Sequence, residues 1–298
     1  RLGREVPMTF LTQLLNGLSL GSIYALVALG YTMVYGIILL LNFAHGDIIM
    51  VGGYIAWIAM ANLGLPPAAA ALLAVIGCMA LGVIIDKVAY APLRAAPRLS
   101  ILITAIGVSY FLENGSQLLF GAAAKVVPSF GDFGSFQIAD ASLSGRAILT
   151  VLVTAAATAV LTFLVQKTKL GKAMRAVSED MGAARLMGIN VNHTISFTFA
   201  VGSALAGIGA VLYCMAYTQI TPTMGIMLGT KAFVAAVLGG IGSIPGAVIG
   251  GLIVGFAEVF VSAIGLSVWQ DAVVFLLLII VLIVKPTGLL GRPMTEKV

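Results

Sequence analysis

Residues 6–44 contain no Asp, Glu, Lys, Arg or His, and residues 48–85 and 194–230 are uncharged in the same way. Runs of that length leave a water-facing fold nothing polar to cover itself with. Soluble domains hold roughly 25% charged residues. This chain of 298 residues holds 9%, against 60% hydrophobic residues and a mean hydropathy of +1.11. In lipid every backbone N–H and C=O must be satisfied within the protein, which leaves helices and closed barrels, and apolar stretches of about 20 residues match helical spans. The expected class is an all-α polytopic membrane protein, with residues 1–298 forming a single transmembrane domain. The 35 glycines, which would weaken soluble helices, allow close helix crossings in lipid.

The net charge of +5 is modest and forms no dense basic face, so no nucleic-acid partner is expected. Cys78 and Cys214 each sit inside an apolar run, and His45 and His193 are isolated. Neither pattern suggests a disulfide framework or a metal site.

With about 20 residues per span, residues 6–44 are too long for one crossing and barely long enough for two. Residues 62–67 (NLGLPP) read as an external turn, and residues 86–98, with Lys87, Arg94 and Arg98, as a cytoplasmic loop. Residues 99–120 return outward carrying Glu113, Asn114 and Gln117, and residues 121–145 form the longest external loop. After residues 147–165 comes a polar segment at 167–192; residues 194–230 are split into two spans by TQITPTMG, a further run begins at Lys231 and contains a glycine-rich break, and spans follow at 247–264 and 268–284. Lys285, Arg292 and Lys297 place the tail inside. Eight to nine transmembrane helices are expected. Nine leave the N-terminus outside; eight put it inside, where Arg1 and Arg4 would favour it.

The polar segment GKAMRAVSEDMGAARLMGIN, residues 171–190, is bracketed by lysines at 167 and 169 and carries Lys172, Arg175, Glu179, Asp180 and Arg185. It cannot sit in hydrocarbon, and its Lys/Arg excess puts it on the cytoplasmic side. Gly171 and Gly188 punctuate a run of good helix formers. On one helix Met174, Val177, Met181 and Ala184 share a face. Arg175, Glu179 and Asp180 lie opposite, with Arg175 and Glu179 spaced for a weak pair. Two readings fit: a solvated amphipathic loop, or a coupling helix moved by another protein, with Ala183 and Ala184 small enough for close approach.

Two polar or glycine-rich breaks interrupt the apolar runs. One is Asn42-Phe43-Ala44-His45-Gly46-Asp47; the other spans residues 238–246 and includes Gly239, Gly240 and Gly242. Paired interruptions in the two halves of a chain point to a transport site. The second break also fits a tight cytoplasmic hairpin. Asp47, Glu113, Lys231, Glu258 and Asp271 lie in or near apolar runs, where ionisable groups are costly and face the interior or water. Asn42, His45, Gly46, Asp47, Glu113, Lys231, Gly239, Gly240, Gly242 and Glu258 are the candidate pathway residues. Lys231 is expected to pair with Glu258 or Glu113; otherwise Lys231 and Asp271 reach to an interface.

Glu179-Asp180-x-x-Ala183-Ala184-x-x-x-Gly188 resembles the EAA-type cytoplasmic loop of ABC-importer permeases, with Asp180 where a stricter pattern has alanine. Residues 16–37 (NGLSLGSIYALVALGYTMVYGI), 41–54 (LNFAHGDIIMVGGY), 231–251 (KAFVAAVLGGIGSIPGAVIGG) and 286–293 (PTGLLGRP) stand around it in order. Together they resemble the LivH-type permeases of branched-chain amino acid ABC importers over nearly the whole chain. The resemblance implies a multi-pass subunit of the bacterial inner membrane whose 167–192 segment docks on an ATPase through Gly171, Arg175, Glu179, Asp180, Ala183, Ala184, Arg185 and Gly188. Its implied partners are a second, LivM-like permease, two ATPase subunits and a periplasmic binding protein, with leucine, isoleucine and valine as substrates. ATP and Mg would sit on those partners. This chain lacks a G-x-x-x-x-G-K-[ST] phosphate loop, since Gln166 precedes Gly171-Lys172 where that motif needs glycine. A urea or short-amide permease of the same superfamily and a stand-alone secondary transporter are the rival readings.

Overall fold

The computed structural model describes residues 2–38, 42–94, 96–138 and 141–291. Residues 6–38 are part of one unbroken helix, α1 (Leu2–Ile38), so the long uncharged stretch is not two spans. α2 (His45–Trp57) follows and runs on through a π-helical turn, Ile58–Asn62. Pro66 and Pro67 then start α3 (Pro67–Ile85), proline being well placed in a first turn because its missing N–H would have no helical partner there. α3 ends in a π turn, Asp86–Tyr90, and a short 3-10 turn, Ala91–Leu93. α4 (Arg98–Phe120) leads to the external loop, which holds β1 (Lys125–Val126) and a hairpin of β2 (Ser135–Ile138) and β3 (Ala141–Ser144). The chain continues through α5 (Gly145–Lys167), α6 (Lys169–Glu179), α7 (Met181–Leu186) and α8 (Val191–Ala216). β4 (Gln219–Ile220) pairs antiparallel with β1, tying two external loops together. α9 (Met224–Gly239), α10 (Ile244–Ala263) and α11 (Gln270–Val284) complete the described order. Arg292, Lys297 and Arg1, used above to assign the chain's ends, lie outside the described residues.

Among the described residues six helical stretches are long and apolar enough to cross a bilayer: α1 from Phe10, α3 with the turns that follow it (Pro67–Leu93), α5, α8, α10, and α11 with the short turn before it (Ser267–Val284). The expected eight to nine spans therefore depend on α2, α4 and α9, which are shorter or more polar. α1 is the centre of the bundle. It packs along α10, α8, α9 and α5, and 83% of its apolar window is buried, against 6% for the window that includes α11. Buried positions of α11 reduce to Val274, so its remaining apolar surface faces lipid or another protein. α1 and α10 run antiparallel with their backbones touching: a Cβ on Gly251 would lie 2.4 Å from Ala25 Cα. Close approach of this kind replaces the hydrophobic drive that lipid removes. The threonines of α5 satisfy their hydroxyls on the helix's own carbonyls, as Thr158 does on Thr154 O at 2.7 Å; Thr154 instead reaches Ser22 O on α1 at 3.2 Å.

The basic segments gather at one end. Lys87 and Arg94 follow α3, the lysines and arginines of α6 and α7 lie against the ends of α5 and α8, and Arg94 donates to Asn192 at the start of α8. The Lys/Arg rule makes this end cytoplasmic. Phe10 meets Phe260 of α10 (centroids 5.9 Å apart), while Gly36 faces Gly242 beside the α9–α10 turn. The Phe10 end of α1 therefore lies at the opposite, external end, and Arg4 does not hold it inside.

Candidate functional site

The first break is real. After α1 the chain turns back, and by His45 it has returned to the level of Tyr31: the two rings meet edge-on with centroids 4.6 Å apart. α2 thus begins inside the bundle. Non-helical backbone survives at that depth only where protein or a cavity surrounds it, and both occur here. Tyr90 Oη donates to Asn42 Oδ1 at 2.9 Å. Gly46 lies against α9 so closely that a Cβ on it would stand 2.2 Å from the Gly225 carbonyl oxygen. Next to this crossing, α2, α4 and α9 border a half-open cavity of about 330 Å³ lined by Asp47, Glu113, Ser109, Tyr31, Phe43 and Phe233 among others. Ser109 Oγ donates to Asp47 Oδ2 at 2.5 Å, and the Glu113 carboxyl adjoins that of Asp47. Asn42, His45 and Gly46 support the cavity from behind, while Asp47 and Glu113 face it. Ser109 was not foreseen, although it stands four residues before Glu113 and so on the same face of α4.

Lys231 and Glu258 belong to a different place. Lys231 points from another face of α9 and holds Glu258 Oε1 at 2.8 Å and Asp271 Oδ1 at 2.7 Å. Tyr24 Oη donates to Glu258 Oε2 at 2.7 Å. The expected Lys231–Glu258 pair is present; Glu113 takes no part, and Lys231 is only 8% exposed, so it does not reach to an interface. The cluster joins α9, α10, α11 and α1.

The second break is a turn. α9 ends at Gly239, residues 240–243 reverse the chain, and Ser243 caps α10 by accepting from Gly246 N at 3.2 Å. Leu289 N and Leu290 N donate to Leu238 O and Gly239 O, so the segment after α11 closes over the turn. Gly239, Gly240 and Gly242 are thereby in a tight hairpin against the C-terminal segment, away from the cavity.

The cytoplasmic segment is two helices where one was expected. Asp180 leaves helical conformation, and its Oδ1 accepts from Gly182 N (2.7 Å) and Ala183 N (2.9 Å). An aspartate in that position caps a new helix, which overrode the continuous apolar stripe. Met174, Val177 and Ala184 are buried as expected, but Met181 is exposed. Arg175 donates to the Val165 carbonyl rather than forming the expected contact with Glu179. Thr168 folds α6 back beneath α5 by accepting from Gly171 N at 3.0 Å. Gly188 N bonds Arg185 O and Ile189 N bonds Ala184 O, closing α7. Leu186 and Met187 are left 90% and 82% exposed beside Glu179, Ala183 and Arg185.

One further cluster lies at the same end of the bundle. Asp86, fully buried, accepts from Arg94 Nη2 and Ser196 Oγ, each at 2.5 Å. With the Arg94–Asn192 bond it clamps the α3–α4 loop to the start of α8, directly after the α6–α7 pair. Sequence charge assigned these residues to a side of the membrane but gave no partner. Asp86→Asn is expected to lower stability by about 1.5–3 kcal/mol, the range for hydrogen bonds to charged groups. Thermal unfolding in detergent checks this; a wild-type midpoint would show that the clamp contributes nothing. Among the described residues no group of three or more His, Cys, Asp and Glu is arranged to hold a metal.

Residues 13–282 match the protein-family model described as "Branched-chain amino acid transport system / permease component". The chain belongs to this family. It is 47% identical, over 97% of its length and 98% of the relative's, to the high-affinity branched-chain amino acid transport system permease protein BraD of Pseudomonas aeruginosa. It is 46% identical to the corresponding LivH protein of Salmonella typhimurium and 45% to that of Escherichia coli K12, over 99% of both chains in each case. Membership makes the chain a multi-pass membrane permease component of a transport system, not an enzyme.

Proposed function

We propose that this chain is a permease subunit of an ATP-driven importer moving leucine, isoleucine and valine from the periplasm to the cytoplasm across a bacterial inner membrane. Identity of 45–47% over nearly the full length to permeases named for branched-chain amino acid transport carries this reading. In it, residues 1–298 act as one permease domain beside a second, LivM-like permease, with two ATPases below and a periplasmic binding protein above. ATP and Mg bind the ATPases. The α6–α7 pair is the contact with one of them: Leu186, Met187 and Met181 offer apolar anchors, and Glu179 and Arg185 offer charges. Gly171, Asp180 and Gly188 fix its bends, Arg175 ties it to α5, and Ala183 and Ala184 admit close approach. Its movement reaches the bundle through α8 and the Asp86 clamp. The cavity at Asp47 and Glu113 is this chain's share of the pathway, open toward the side where a second permease would complete it.

Reconstitution of the chain with its genomic neighbours in liposomes tests this. Leucine uptake that needs both internal ATP and external binding protein is the expected result. Uptake of urea or a short amide in place of leucine would replace the substrate; uptake driven by an ion gradient through this chain alone would overturn the importer reading.

A further inference from the structure

The cavity between α2, α4 and α9 holds more acid than its surroundings balance. Asp47 is 2% exposed and Glu113 8% exposed, both at membrane depth, where ionisable groups are costly and are kept for a task. Asp47 Oδ2 has its donor in Ser109, but no donor reaches Oδ1. That oxygen is given room by Gly225, where a Cβ would stand 2.8 Å from it. No Lys, Arg or His is among the described residues lining the cavity; Lys231, one residue from the lining Thr230, is engaged by Glu258 and Asp271 on another face of α9.

A cation with several N–H donors would complete this arrangement. A primary ammonium has three. Asp47 Oδ1 and a Glu113 oxygen can take two. Ser109 Oγ can take the third, since its own hydrogen goes to Asp47 and its lone pairs are left to accept. The remaining wall is mixed aromatic and aliphatic, with Ile106 and Ile226 beside an aromatic group in which Phe233 lies 6.2 Å by ring centroids from both Tyr31 and Phe43. Such a wall suits an aliphatic side chain and favours a nearby cation through the ring faces. A volume of about 330 Å³ falls at the small end of ligand pockets and is far larger than a bare inorganic ion needs.

We propose that Asp47, Glu113 and Ser109 form an ammonium-binding subsite in the permease, which holds the α-ammonium of an aliphatic amino acid while its side chain lies against Tyr31, Phe43 and Phe233. This rests on reading the chain as an amino-acid permease. It adds that the permease itself discriminates, accepting the amino end of the substrate and leaving the carboxylate toward water or the partner permease. An aliphatic acid without the amine would not be held.

The test uses the purified complex without binding protein and follows its thermal midpoint during titration with leucine, 3-methylbutylamine, 4-methylpentanoate and potassium chloride. Leucine and the amine are expected to raise the midpoint saturably, and the acid and the salt to leave it unchanged. Asp47→Asn and Glu113→Gln should each weaken the amine's half-saturation about ten- to a hundredfold, as loss of a charge-assisted contact does, while Glu113→Asp keeps most of it. The amine and acid acting alike, potassium saturating the effect as well as the amine, or both variants binding the amine like wild type would each overturn the subsite. If Asp47→Asn fails to assemble, Glu113→Gln and the wild-type amine–acid comparison decide. ATP-driven leucine uptake with no amine effect would fell the subsite and leave the importer standing. An amine effect without leucine uptake would do the reverse.

Discussion

Lys231→Met should destabilise the folded chain by about 3–5 kcal/mol, the cost found when one partner of a buried ion pair is removed. The lysine is a single cation between two carboxylates. Its removal leaves Glu258, 8% exposed, with only the Tyr24 hydroxyl at 2.7 Å. Asp271 is less affected, because its side chain is 46% exposed and water can take over. Three helices meet at this lysine, so the loss should appear as a lower unfolding midpoint in detergent and a smaller yield of inserted protein. Lys231→Met combined with Glu258→Gln should recover much of the loss, since a neutral amide can still accept from Tyr24 without an unpaired charge. Asp271→Asn alone should shift the midpoint little. An unchanged midpoint for Lys231→Met would mean that the cluster is held by helix packing and contributes no net energy.

The same cluster marks how far a sequence can be read. That Lys231 sits in an apolar run and needs a carboxylate follows from electrostatics in lipid. Glu258 could be named because it is the acid of the next span. Asp271 could not, because its nearness depends on α11 starting beside α9 and α10, which is a property of packing. Charge-free runs and Lys/Arg placement were legible for a related reason: they state what lipid excludes. The break at residues 42–47 was legible too, as polar backbone that hydrocarbon would not tolerate. Its consequence was not, for Asp47 meets Glu113 and Ser109 only when α4 lies against α2. The candidate pathway list mixed three places, since spacing cannot separate an acid facing a cavity from one in an ion cluster or a glycine in a hairpin. The α6–α7 split was hidden differently. The 3.6-residue stripe through Met174, Val177, Met181 and Ala184 reads straight past Asp180, while the aspartate's capping of Gly182 and Ala183 ends one helix and starts another.

That split shapes the second large effect. With α7 set at its own angle, Leu186 and Met187 project into water at 90% and 82% exposure, an apolar pair that a cytoplasmic surface has no structural reason to display. Buried anchors of this type, truncated at a protein interface, cost about 2 kcal/mol or more apiece when they are hot spots, which corresponds to roughly a thirtyfold loss of affinity. With the α6–α7 pair as the proposed ATPase contact, replacing Leu186 and Met187 with serine should release the ATPase from the assembled complex and abolish most leucine uptake, while the permease stays inserted at wild-type level, because neither side chain is packed against the bundle. Glu179→Ala with Arg185→Ala should lower uptake with less dissociation, since exposed charges mainly steer association and fix register. Asp180→Ala should act differently again. It removes the cap, worth about 0.5–2 kcal/mol, and lets α6 and α7 lose their fixed angle, so ATP hydrolysis should continue with fewer leucines moved per ATP. The discriminating measurement is uptake and ATP hydrolysis in the same liposomes, with co-purified ATPase quantified alongside. Full uptake in the Leu186 and Met187 double variant would mean that this exposed pair is not the contact through which the importer is driven.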